Sequence, residues 1–90
     1  MSVPARVLLA ERVVCRQIGD EAVLLDLASA TYFGLDPVGA KFWTLLSKDA
    51  DFAIAHAAML QEYDVDGDVL RADLAKLCEQ LAIAGLVSIE

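Results

Sequence analysis

Histidine is almost missing from this 90-residue chain, which has a single one, His56. Set among alanines, it forms no Ser-His-Asp or Cys-His arrangement. Carboxylates pair only as helix-surface charges, so no catalytic residues are indicated and the chain reads as a non-enzyme. Cysteine is scarce as well. Cys15 and Cys78 lie far apart and give no CxxC or metal-ligand spacing, which implies no metal and no cofactor. They read as two reduced, packed thiols of a cytoplasmic protein. No apolar run nears the roughly 18 residues of a membrane span, and no cationic, apolar signal opens the chain.

Bases are few. Seven Lys+Arg stand against fourteen Asp+Glu, a net charge of −7. That sign repels phosphate backbones and anionic lipid, which sets aside nucleic acid and membrane as partners. The imbalance is local: residues 1–48 carry five bases and five acids, whereas residues 49–90 carry two bases and nine acids. The excess reads as solubility for a small apolar domain, with a basic peptide partner as the alternative.

What is present is apolar: 58% hydrophobic residues with five glycines and two prolines exclude disorder and low complexity. The length allows one domain, residues 1–90, with an ordered core over about 12–89. The first third is extended. Arg12–Ile18 is β-like, Gly19-Asp20 is a turn signal, and Glu21–Leu27 sets Val23, Leu25 and Leu27 on one face at period two. Thr31–Leu35 is rich in β-formers, with Thr31, Phe33 and Leu35 on one face and Tyr32 and Gly34 on the other. These predict a three-stranded antiparallel meander.

Three helices follow, which makes the fold class α+β. Asp36-Pro37 supplies an N-cap and a first-turn proline, and Val38, Phe42, Leu45 and Leu46 continue at helical spacing. A second helix over about Asp51–Glu62 aligns Phe52, Ala55 and Met59. A third, about Asp68–Ala84, carries the stripe Leu70, Leu74, Leu77 and Leu81, is capped by Asp66 or Asp68, and ends at Gly85. Leu86–Ile89 adds a final extended segment. Beside the leucines, Arg71, Ala75, Cys78 and Ala82 share a second face, mostly small, that suits tight helix packing or the floor of a groove.

Two motifs fail on register. Gly34–Lys41 resembles a phosphate loop, but its lysine does not follow the second glycine and no Ser/Thr comes next. Asp64–Asp68 suggests a calcium loop, but glycine falls at position four and Ala75 occupies the twelfth. A capped helix start explains those aspartates. The third extended segment is more informative. It ends the meander as an edge, yet Ser29–Leu35 contains no lysine, proline or inward charge to guard it. Such an edge accepts another chain as an added strand, unless a helix or the chain's own tail covers it.

The runs Val23–Trp43, Glu62–Asp66 and Ala84–Val87, in this order and spacing, resemble the PqqD-like proteins over roughly residues 12–89. The resemblance implies a small winged helix-turn-helix that recognises precursor peptides of ribosomally made, modified products. It further implies that the precursor's leader pairs with Thr31, Tyr32, Phe33, Gly34 and Leu35, in the cleft against the third helix. Leu74, Ala75 and Cys78 are the candidate walls there. Arg71 is placed to meet an acidic leader residue, and Asp68 and Asp73 basic ones. Within the family the chain is most similar to the stand-alone leader-binding component of lasso-peptide clusters, whose implied partner is a separate leader peptidase. The alternative is a PqqD proper, presenting its precursor to a radical-SAM enzyme in pyrroloquinoline quinone synthesis. A winged-helix DNA-binding protein and an interaction subunit are further alternatives, and the open edge is compatible with a homodimer. The third helix, with Arg71 and Lys76 among several acids, lacks the basic surface that the DNA reading needs.

Overall fold

A computed structural model describes residues 3–90. It contains the strands β1 (Val7–Leu9), β2 (Val13–Ile18), β3 (Glu21–Asp26) and β4 (Thr31–Leu35). The helices α1 (Pro37–Lys48), α2 (Phe52–Glu62) and α3 (Gly67–Ile83) follow, and β5 (Val87–Ile89) closes the chain. The meander and the three helices are those the sequence predicts. β2, β3 and β4 form an antiparallel sheet in that order, while β1 and β5 pair as a separate two-stranded ribbon. The sequence pattern predicts an ordered core only from about residue 12, and β1 lies before it. Strand β1 has three residues, too few for a periodicity, and its partner lies at the other end of the chain: Val7 pairs with Ile89 and Leu9 with Val87.

Local chemistry sets each boundary. The two-residue turn Gly19-Asp20 joins β2 to β3, with Gly19 at φ 65 in the first central position, as a type II′ turn requires. Asp36 caps α1 by accepting from the Gly39 N–H at 2.8 Å, and Pro37 begins the helix. Asp51 caps α2, and Asp66 caps α3 by accepting from the N–H groups of Asp68 and Val69. Each such cap is worth about 1 kcal/mol. The third helix ends in a Schellman motif: Leu86 N–H donates to Leu81 C=O, Gly85 N–H donates to Ala82 C=O, and Gly85 takes φ 79.

The core lies between the inner face of the three-stranded sheet and the helices. Phe42 of α1 and Phe52 of α2 meet edge to face at 5.8 Å, surrounded by Leu24, Met59, Leu74 and Leu81. Ala22, Leu24 and Asp26 are the buried residues of β3, so Val23 and Leu25 face outward. The single histidine, His56, is buried, stacks on Phe52 and donates from Nε2 to Gly67 C=O at 2.9 Å, tying α2 to the start of α3. Among the described residues no helix is long and apolar enough to cross a membrane.

A charged clasp fastens the sheet to the far end of α3. Arg12 donates from Nε to Asp26 Oδ1 at 3.0 Å and from Nη2 to Gly85 C=O at 2.7 Å. Burial alone would raise the Asp26 pKa. The Ala28 N–H, the Arg12 charge and side-chain hydrogen bonds outweigh it and hold the carboxyl below its ordinary range. Stability from a depressed carboxyl is fully present above the unfolded value of about 3.9 and is lost as the pH falls through the lower folded value. Denaturant titrations from pH 7 to pH 3 should therefore show wild type losing stability below about pH 4, with a flatter profile for Asp26→Asn. Identical profiles would contradict the clasp.

Candidate functional site

Ladder parity decides which backbone groups of β4 are free. The two-residue turn makes Ile18–Glu21 a hydrogen-bonded pair, and Leu27 N–H, just past the end of β3, donates to Arg12 C=O at 3.2 Å in the same alternation. Glu21, Val23, Leu25 and Leu27 thus bond toward β2. The residues between them, Ala22, Leu24 and Asp26, bond toward β4, to Leu35, Phe33 and Thr31 in the observed register. The N–H and C=O groups of Tyr32 and Gly34 are left pointing away from the sheet. Neither has another backbone partner among the described residues.

Beside this edge lies a cleft of about 480 Å³. Phe33 and Gly34 of β4 form one side, Asp36, Val38 and Gly39 the strand-to-helix junction, and Asp73, Leu74, Leu77 and Gln80 of α3 the other side. The junction is tightly set. A Cβ at Gly39 would meet Asp36 Oδ1 at 3.2 Å, Leu35 Cδ2 at 3.3 Å and Leu77 Cδ2 at 3.4 Å. Glycine there lets the first turn of α1 approach α3 closely and still leaves the cleft open above it. The cleft has an apolar floor with two carboxylates, Asp36 and Asp73, and no base among its lining residues.

The structure brings only some of the sequence-named residues together. Thr31, Tyr32, Phe33, Gly34 and Leu35 make up β4, and Leu74 lines the cleft with Phe33 and Gly34. Ala75 and Cys78 are buried on the core side of α3, where their small size serves packing. Asp68 and Arg71 sit at the exposed start of α3, joined by a 2.9 Å ion pair, and do not line the cleft. Asp36, Val38, Gly39, Leu77 and Gln80 also line the cleft, although the sequence pattern marks Val38 and Leu77 only as helix-face positions and assigns none of the five to the site. Asp73, Leu77 and Gln80 follow i, i+4, i+7 spacing, a signal that becomes usable once the rotation of α3 is known.

The match to known families is direct. The family profile described as coenzyme PQQ synthesis protein D (PqqD) matches residues 21–87, from β3 into β5. The chain belongs to the PqqD family. Comparison with curated proteins finds no match. Among solved structures, this PqqD-family chain is similar to one described as TbiB1 in complex with the TbiA(beta) leader peptide. The two share 37% identity over 90% of this chain and 94% of that one, with a TM-score of 0.84. A second, described as lasso peptide synthetase B1 complexed with the leader peptide, is 25% identical over 93% of this chain and 99% of that one, with a TM-score of 0.81.

The two free thiols behave as packing groups in this PqqD-family fold. Burial pushes the Cys78 pKa up to about 12, against a weaker opposing backbone hydrogen bond, and raises that of Cys15. A disulfide-exchange reagent at neutral pH should modify Cys15 first and Cys78 at least about a hundredfold more slowly, since only the thiolate attacks. Both should react together after denaturation. One fast phase for both thiols of the folded chain would contradict the burial of Cys78.

Proposed function

We propose that this chain binds the leader segment of a ribosomally made precursor peptide by strand addition to β4, and delivers it to the leader peptidase of a lasso-peptide pathway. One observation carries the reading: an unpaired strand edge, Tyr32 and Gly34, runs alongside an apolar cleft between β4 and α3. Main-chain bonds to such an edge supply affinity, and pockets for alternate side chains supply specificity. The first similar structure supports it, since that protein is described with a leader peptide at 37% identity. The PqqD profile by itself favours a second reading, presentation of a precursor to a radical-SAM enzyme in pyrroloquinoline quinone synthesis. Two similar structures described with leader peptides, one of them a lasso peptide synthetase, weigh toward the lasso assignment.

The role is recognition without chemistry. His56 is occupied by Gly67 C=O, and both thiols are held protonated. Leu74, Leu77 and Phe33 take an apolar leader side chain in the cleft, while Asp36 and Asp73 favour a basic or neutral neighbour over an acidic one. Asp68 and Arg71, paired with each other, lie outside the contact. A newly made precursor places this work in the cytoplasm, with the peptidase as the second partner.

The test is titration of a labelled leader peptide from the precursor encoded beside this chain's gene. Wild type should bind saturably. Tyr32→Pro removes an outward donor without cutting a bond to β3, so the variant should fold and bind at least about tenfold more weakly. Full affinity in a folded Tyr32→Pro would overturn the β4 assignment.

A further inference from the structure

Gly34 has an unoccupied space where its side chain would be. A Cβ built on it meets no atom within 4 Å, and its φ lies outside the left-handed region. Neither packing nor backbone conformation calls for glycine there, although glycine weakens a strand interior. Gly39, five residues on, differs in being pressed by three side chains.

The vacancy lies on the outer face of the sheet. Register aligns Arg16, Val23 and Gly34 in one row across the strands, and Val14, Leu25 and Tyr32 in the next. Tyr32 fills the edge position of its row. The edge position of the other row is bare, and beside it lies a shallow hollow of about 350 Å³ with Ile18, Val23, Gly34 and Leu35 among its walls. Glu21 and Asp36 stand at its rim. Because the N–H and C=O of Gly34 point to the free edge, a residue of an added strand paired with Gly34 turns its side chain onto this same face.

The geometry points to this hollow as a second specificity subsite, taking one large apolar side chain of the added strand over the Gly34 Cα and against Val23 and Ile18. The inference rests on strand addition at β4. The added strand is then read on both sides, one parity in the cleft against α3 and the other at Gly34. The two rim carboxylates disfavour an acidic side chain at that position.

The experiment compares wild type, Gly34→Val and Tyr32→Pro, using the leader of the neighbouring precursor and a series in which each leader position is singly changed to alanine. Gly34→Val should melt at or above the wild-type temperature, since the added side chain meets open space. It should bind the unaltered leader about tenfold more weakly or worse, the scale of an overfilled contact. One alanine peptide, shortened at the large apolar residue across from position 34, should bind Gly34→Val as well as it binds wild type. Full affinity of Gly34→Val beside a dead Tyr32→Pro overturns the subsite and leaves strand addition standing. Weakening that no single alanine relieves also overturns the subsite. Normal binding by both variants, or no leader binding by wild type, overturns strand addition and the subsite with it.

Discussion

Among the described residues no fourth strand pairs with β4, and one row of its hydrogen-bonding groups is left without a backbone partner. The parity of that row is fixed some distance away, at the Gly19-Asp20 turn. Two residues in the turn make Ile18–Glu21 a bonded pair, and alternation carries the pattern through β3 to place Tyr32 and Gly34 outward. A one-residue slip in this hairpin would present Phe33 instead and would turn its side chain out of the cleft. The exposed edge therefore depends on a turn that lies outside the cleft itself.

The remaining elements keep that edge accessible. Asp36 stops β4 and starts α1 in the space of one residue, so the chain turns away from the edge without covering it. Gly39 lets α1 settle against Leu77 of α3, which sets the width of the cleft. Arg12 fastens β2 and β3 to Gly85 at the far end of α3, and the β1–β5 ribbon closes the opposite side of the core. The Arg12 bonds join the sheet to the end of α3, the helix that forms the other wall of the cleft. A preformed cleft of this kind lowers the ordering cost to the protein of taking up an extended segment.

Much of this was legible in the sequence because it is written in local chemistry. The Asp36-Pro37 junction, the leucine stripe of α3, the Gly85 stop and the unguarded Ser29–Leu35 edge are all short-range signals. What was not legible depends on long-range packing. The β1–β5 ribbon pairs residues 7–9 with 87–89 and has no periodicity of its own. In β3, Val23, Leu25 and Leu27 make the more hydrophobic face, yet the buried set is Ala22, Leu24 and Asp26. Asp26 goes inside because Arg12 and the Ala28 N–H satisfy it there. The small-residue face of α3, with Ala75 and Cys78, turned out to be packed in the core, and the cleft wall is the adjacent stripe of Asp73, Leu77 and Gln80. Helix rotation of that order is set by what packs against it, which spacing alone does not encode.

The most direct measurement is residue-resolved amide hydrogen exchange of the free chain and of its complex with the leader peptide. Tyr32 and Gly34 should exchange fast in the free chain and slow on binding, while Phe33 is protected in both states by its bond to Leu24. Unchanged exchange at Tyr32 and Gly34, with new protection at Cys15 and Gln17 on the free edge of β2, would contradict it.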